Sequence, residues 1–289
     1  MNTLTVFVVL AATVLALCAC FAELPRLRGT TLVGVWLWSL ISTCVYCTWV
    51  LGVSLRFWQA DSPGRLLAGV ALFCPNMALL GAKRPQDRAW HFVVMSLWIV
   101  LSLPVVPAWL FYPGRQMQLS AIYGVFLWLL VLMEILNRLA TRGWWVGLLW
   151  GTAQSLALGN LLPGGVAGLN GWSLPLSVFL LAAGRWGHWW IVKPTADNWD
   201  LNQRWRAFAT RFGLLWALRV WAAVNAVCHR QGWPVRLGWR GFIDGTGRAV
   251  LFDSSISGVE HTGRLDVRAL RQVMVNLLQR FENPRHFPD

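Results

Sequence analysis

The stretch Gly143-Trp144-Trp145-Val146-Gly147-Leu148-Leu149-Trp150-Gly151-Thr152-Ala153-Gln154-Ser155-Leu156-Ala157-Leu158-Gly159 decides the architecture. It carries no charge, and Leu161 and Leu162 extend it. A buried strand uses only four to eight such residues, whereas about 20 helical residues cross a ~30 Å hydrocarbon core. Gly143, Gly147, Gly151, Ser155 and Gly159 recur at every fourth position, so a helix gathers them into one stripe. Stripes of small residues let two helix backbones approach closely in lipid. The stripe reads as a packing face inside a bundle or as a homodimer face.

Working outward from 144–162, six more apolar runs appear, at 3–22, 32–55, 66–82, 89–112, 119–136 and 172–192. Only 13% of the 289 residues are charged, about half the usual share of a soluble domain, and mean hydropathy is +0.51. That excludes a solvated globule, a disordered chain and a collagen-like fibre. The expectation is an all-α polytopic domain over 1–192 with about seven transmembrane helices, multi-pass in the inner or plasma membrane of the cell. Pro75-Asn76 makes 66–82 a kinked helix or a re-entrant loop, and Pro104 and Pro107 should kink 89–112. The first run has no Lys or Arg before it, while Arg26 and Arg28 follow, which is the reverse of a secretory signal.

Loop charge sets the orientation. Arg26, Arg28, Lys83, Arg84, Arg88, Arg138 and Arg142 fall on one side, and Arg56, Arg65 and Arg115 on the other. The N-terminus is therefore expected outside and residues 193–289 in the cytoplasm. This last third is much richer in charge. It reads as a small α+β domain: a membrane-apposed helix over 199–230, a strand through Val235, Leu237, Trp239 and Ile243, a turn at Asp244-Gly245-Thr246-Gly247, a second strand over 249–252, and an amphipathic helix from Val267 to Phe281. The run 212–228 is the ambiguous part. It holds Arg219 and reads as a helix of the tail core or membrane surface, with an eighth span as the alternative.

Ionisable groups inside spans are the first functional suspects: Glu134, Arg185, His188 and His91. Glu134 stands four residues before Arg138, the spacing of an interfacial ion pair. Arg185 and His188 lie among Trp186, Trp189 and Trp190, where Arg snorkels and Trp anchors. The sharper reading is a lipid-phosphate site, with Arg185 as the fork and His188 as donor or general base. His91 follows Arg88 and Trp90 and reads as an anchor or as part of the same interface. Gln154 and Asn160 bond a neighbouring helix or line a solute path.

In the tail, Arg204, Arg206 and Arg211 interleave with aromatics. Anionic headgroups on the cytoplasmic side explain them better than nucleic acid. The polar loop with Ser254, Ser255, Ser257, Glu260 and His261 allows a Ser/His/acid set. Trp186-Gly187-His188-Trp189-Trp190 is similar, over about 15 residues, to Trp-rich haem-handling segments of cytochrome c assembly proteins. The spacing to Asp200 differs, so no cofactor is expected. The Cys44-x-x-Cys47 pair reads as two small buried hydrophobes. No phosphate-binding loop, nucleophile elbow or metal-ligand spacing occurs. Three functions remain. The first is a non-catalytic scaffold or assembly protein whose tail docks a protein partner. The second is a lipid-active transferase at the cytoplasmic interface. The third is a transporter of a neutral or anionic solute.

Overall fold

A computed structural model describes residues 3–60, 63–83, 87–111, 117, 119–164, 172–192, 200–250 and 267–281. The chain divides into two units, Met1–Ile191 and Val192–Asp289. The first unit contains α1 (Thr3–Leu27), α2 (Leu32–Ser54), α3 (Gly64–Ala71), α4 (Cys74–Leu80), α5 (Asp87–Ser102), α6 (Val105–Phe111), α7 (Ala121–Leu139), α8 (Trp144–Leu158) and α9 (Ser173–Ile191). The second contains α10 (Leu201–Arg230), β1 (Val235–Gly238), β2 (Gly241–Asp244) and α11 (Val267–Leu278).

Four helices are long and apolar enough to cross a membrane: α1, α2, α7 and α10. A fifth crossing of that kind exists if α5 and α6 count together, bent by 43°. That bend falls at Leu103-Pro104, where proline removes a donor and blocks the preceding turn. The run 66–82, expected as a kinked helix or a re-entrant loop, is two short helices with a break between them. Leu72 and Phe73 donate to Gly69 and Val70 in tight i→i+3 bonds that close α3. Pro75 then sits in the first turn of α4, where its missing N–H costs nothing.

The core of the first unit has two main parts. Val9, Tyr46, Val50, Val146 and Val178 join α1, α2, α8 and α9. Leu66, Phe73, Leu127, Val131 and Leu158 join α3, α7 and the end of α8. The small-residue stripe of α8 faces α7 of the same chain. A Cβ added at Gly147 would lie 2.9 Å from Arg138 Cβ, and one at Gly151 would lie 2.5 Å from Ile135 Cγ1. At the other end of α8, the Arg65 side chain donates to the carbonyls of Ala157 (2.8 Å) and Leu156 (3.1 Å). It thereby supplies the bonds that a helix C-terminus lacks. Gly159, at φ 48°, leaves the space this guanidinium occupies.

In the second unit α10 is the organising element. Asp200 caps it by accepting from Gln203 N at 2.6 Å. Gly213, at φ 78° and ψ −178°, breaks it into two helical segments. Phe281, just beyond α11, meets Phe208, Phe212 and Trp216 edge-on, each at 5.0 Å between centroids. The strand expected through Ile243 is interrupted. Trp239-Arg240 form a two-residue turn, and β1 pairs antiparallel with β2 in the register Val235↔Asp244 to Gly238↔Gly241. Gly241, at φ 129°, lets the chain reverse there.

Two asparagines of α10 hold the two sides of this hairpin. Asn225 donates to Leu237 O (3.0 Å) and accepts from Leu237 N (2.7 Å). Asn202 donates to Val250 O (2.7 Å) and accepts from Phe242 N (2.7 Å). Each amide behaves as one residue of a missing neighbour strand. Of the expected second strand, Ala249 forms a single bridge with Ile243. Residues 251–252 and the polar loop Ser254–His261 lie outside the described residues.

Candidate functional site

Seven polar or aromatic side chains of the first unit converge, drawn from four helices. Glu23 comes from α1, Glu134 and Arg138 from α7, Trp150 and Gln154 from α8, and Arg185 and His188 from α9. Each pair on one helix is three or four residues apart, so both members share a face. Gly184 and Gly187 supply the room. A Cβ at Gly184 would lie 2.5 Å from Trp150 Nε1, and one at Gly187 would run into the Trp145 ring. Two glycines at i,i+3 on α9 thus let the indoles of α8 lie against its backbone.

The Trp150 ring is the hub. Arg138 Cζ stands 4.3 Å from its centroid and Arg185 Cζ 5.0 Å. The His188 ring lies 5.7 Å away, centre to centre. Guanidinium groups over an indole face are cation–π contacts, stronger when desolvated. Arg185, Trp150, Gln154, Glu23 and Glu134 are all buried. His188 Nδ1 is 2.9 Å from Glu23 Oε1. Gln154 Nε2 donates to Glu134 Oε2 at 2.5 Å and to the Leu72 carbonyl at 3.2 Å. That carbonyl belongs to the break between α3 and α4, so the break has an accepting group for an α8 side chain.

Four buried atoms of this cluster have no hydrogen-bond partner: Trp150 Nε1, Gln154 Oε1, Arg185 Nε and His188 Nε2. Buried polar groups are nearly always paired, and each exception in a native structure calls for a reason. Glu23 as acceptor fixes the His188 proton on Nδ1 and leaves Nε2 as a lone-pair base. Arg185 Nε and Trp150 Nε1 carry N–H donors, and Gln154 Oε1 is an acceptor. Two N–H donors, a basic nitrogen and an amide oxygen are the groups that bind an anionic or strongly polar group and take a proton from it. Two carboxyl groups, two guanidinium groups and one imidazole thus share the cluster.

The remaining predicted residues fall elsewhere or in other roles. Glu134 bonds Gln154, while its i+4 neighbour Arg138 is committed to Trp150. His91 is outside the cluster. Its Nδ1 accepts from Trp38 Nε1 at 2.9 Å, tying α5 to α2. The side chain of Asn160 lies outside the described ones. Cys44 is exposed and Cys47 buried, both as free thiols. In the tail, Arg206 Nε donates to Arg240 O at 2.8 Å. Arg204 is half-buried. Arg211, only 5% exposed, is too deep to meet a headgroup. No group of three or more His, Cys, Asp or Glu suited to a metal occurs among the described residues.

Sequence reading missed Glu23, because it ended the first helix at residue 22. The helix continues through Pro25 to Leu27. A usable signal existed: an acid near the C-terminal end of an apolar helix opposes the helix dipole, so something else must hold it there. Arg26 is nearby, donating to the Trp189 carbonyl and lying 4.0 Å over the Trp189 ring.

No protein family, no curated protein and no solved structure matches the chain.

Proposed function

We propose that this is a multi-pass protein of the inner or plasma membrane that acts on an anionic, phosphate-bearing lipid headgroup within its helical bundle. The membrane assignment has two supports. Several helices are long and apolar enough to cross, and large apolar side chains such as Phe92, Leu110, Ile122 and Phe126 face outward. With seven crossings assumed, the charge of the loops favours an N-terminus outside and a tail in the cytoplasm. In that topology Glu23, Arg138, Arg185 and His188 belong to the cytoplasmic half of the bundle.

One observation carries the chemical reading. A glutamate-oriented histidine leaves its Nε2 unpaired, and Arg185, which shares the Trp150 ring with it, has an unpaired Nε–H. Arg185 and Trp150 hold the anionic oxygens. His188 Nε2 takes the proton of an attacking hydroxyl as its oxygen bonds to the headgroup or acyl centre, and Glu23 stabilises the imidazolium that forms. The leaving group departs with its electron pair and recovers that proton. The test is lipid mass spectrometry on cells carrying His188→Ala, Glu23→Gln or Arg185→Lys, with each variant checked for expression and thermal stability. A lipid species that accumulates in all three, with the fold retained, supports the reading. An unchanged lipid profile in all three would sink it.

A second reading rests on a different contact. Gln154 joins Glu134 of α7 to the Leu72 carbonyl, which is how a polar group acts as glue between helices. On that reading the protein is a non-catalytic scaffold, and the same substitutions lower stability without altering any lipid.

A further inference from the structure

Beyond Gly213, α10 has two unlike faces. Trp216, Ala217, Val220, Val224 and Cys228 are buried within the second unit. Leu215, Leu218, Trp221 and Ala222 are exposed. At 100° per residue these four share one side of the helix with Arg219, His229 and Arg230. The exposed side is therefore apolar at its start and cationic along its flank and end. Arg219 also lies 4.7 Å over the Trp216 ring, which holds its charge at the margin of the apolar patch.

The charge on this helix names its occupant. From Leu201 to Arg230 it carries Arg204, Arg206, Arg211, Arg219 and Arg230, and neither Asp nor Glu. An apolar face with a Trp and only cationic neighbours fits the headgroup layer of an anionic leaflet. A crossing fits badly. Gly213 interrupts the helix, and Asn225 is committed to the backbone of β1, so the buried side carries a hairpin. A second copy fits badly too, because a two-fold contact would bring two cationic faces together with no acid on either helix to offset them.

We infer that the Leu215–Ala222 face of α10 lies in an anionic membrane surface, with Leu215, Leu218 and Trp221 immersed and Arg219 at phosphate depth. This rests on the membrane reading above. It adds Arg219 to the lipid-contacting candidates and removes Arg211, which is buried.

The test uses the full chain with Cys18 and Cys44 replaced by alanine, reconstituted in vesicles of phosphatidylcholine with phosphatidylglycerol. A nitroxide is attached at L218C, and separately at L129C on α7 and Q272C on α11. Accessibility to oxygen against a water-soluble nickel complex gives depth. The expected result is a lipid-like ratio at 218, matching 129 and unlike 272. Arg219→Gln should reduce the immersed fraction about fivefold, and so should omission of phosphatidylglycerol. Water-like readings at 218 with lipid-like readings at 129 overturn this inference alone. Water-like readings at both overturn the membrane reading itself. Spin–spin broadening at 218 would mean that a second copy covers the face.

Discussion

The second unit and the cluster around Trp150 use their polar groups in opposite ways. In the second unit, side chains bond backbone: Asn202 and Asn225 to the hairpin, Asp200 to the first turn of α10, Trp205 Nε1 to Trp239 O. Such contacts complete secondary structure and leave no capacity for a ligand. In the first unit, Glu23, Glu134, Gln154 and His188 bond mainly other side chains, and four buried atoms around Trp150 stay unpaired. Thr13 Oγ1, Trp49 Nε1, Ser102 Oγ and Arg211 Nε lack hydrogen-bond partners too, but they are scattered, whereas these four belong to side chains gathered around one indole. The contrast separates architecture from the place to look for chemistry, even though the second unit is the more polar in composition.

The largest effect should come from breaking an architectural group. Asn202→Ala leaves the Phe242 N–H and the Val250 carbonyl without their partner, and should destabilise the second unit by about 3 kcal/mol. Faster limited proteolysis within 200–281 would report it, while the lipid profile stays unchanged. Next is the α8–α7 seam. Gly151→Ala drives a methyl into Ile135 and should cost about 2 kcal/mol by overpacking, read as a lower unfolding midpoint in detergent. Its stability is predicted to change even though no polar atom is touched.

Trp150→Phe sharpens the comparison most. It keeps an aromatic face for Arg138 and Arg185 but removes a donor with no partner in the protein. Stability should fall by about 1–2 kcal/mol for the ring volume lost from the core, whereas the lipid phenotype of His188→Ala should reappear. A large loss of stability with normal lipids would put Trp150 among the architectural groups.

The smallest effect concerns the turn after β2. The Asp244 carboxylate accepts from the Thr246 hydroxyl (2.7 Å), Thr246 N (2.8 Å) and Arg248 N (2.9 Å). The Thr246 hydroxyl bond leads in holding this carboxyl below its usual range. A lowered folded pKa means the contribution is complete above the unfolded value of about 3.9 and is lost as pH falls through the folded one. The Thr246 and Arg248 amide signals should therefore be flat through neutral pH and move only on strong acidification. A transition at neutral pH would contradict the geometry.

Hydropathy and the four-residue glycine period made the helical unit legible, because both report local requirements: length against a bilayer and room for a backbone. Pro75 signalled a break within 66–82, but not its place at Leu72-Phe73, where the Leu72 carbonyl accepts from Gln154, 82 residues away in sequence. The turn at Trp239-Arg240 was hidden because neither residue is a typical hairpin turn former, and the clamps that stabilise it come from α10. Arg185, His188 and Glu134 could be suspected from charge in an apolar setting. That Arg138 and Arg185 share one indole, and that Glu23 orients His188, depends on how α1, α7, α8 and α9 pack, and no local pattern encodes that.

The Arg65 cap has one more consequence. It closes α8 after 15 residues, a length of about 22 Å at 1.5 Å per residue. On the membrane reading, that leaves α8 several ångströms short of a ~30 Å hydrocarbon core. The bilayer must thin locally to meet the guanidinium, or water must reach inward to it. A protein with one permanently short wall would be more comfortable in thin membranes than in thick ones, and its distribution between the two would shift if Arg65 were replaced by an apolar residue.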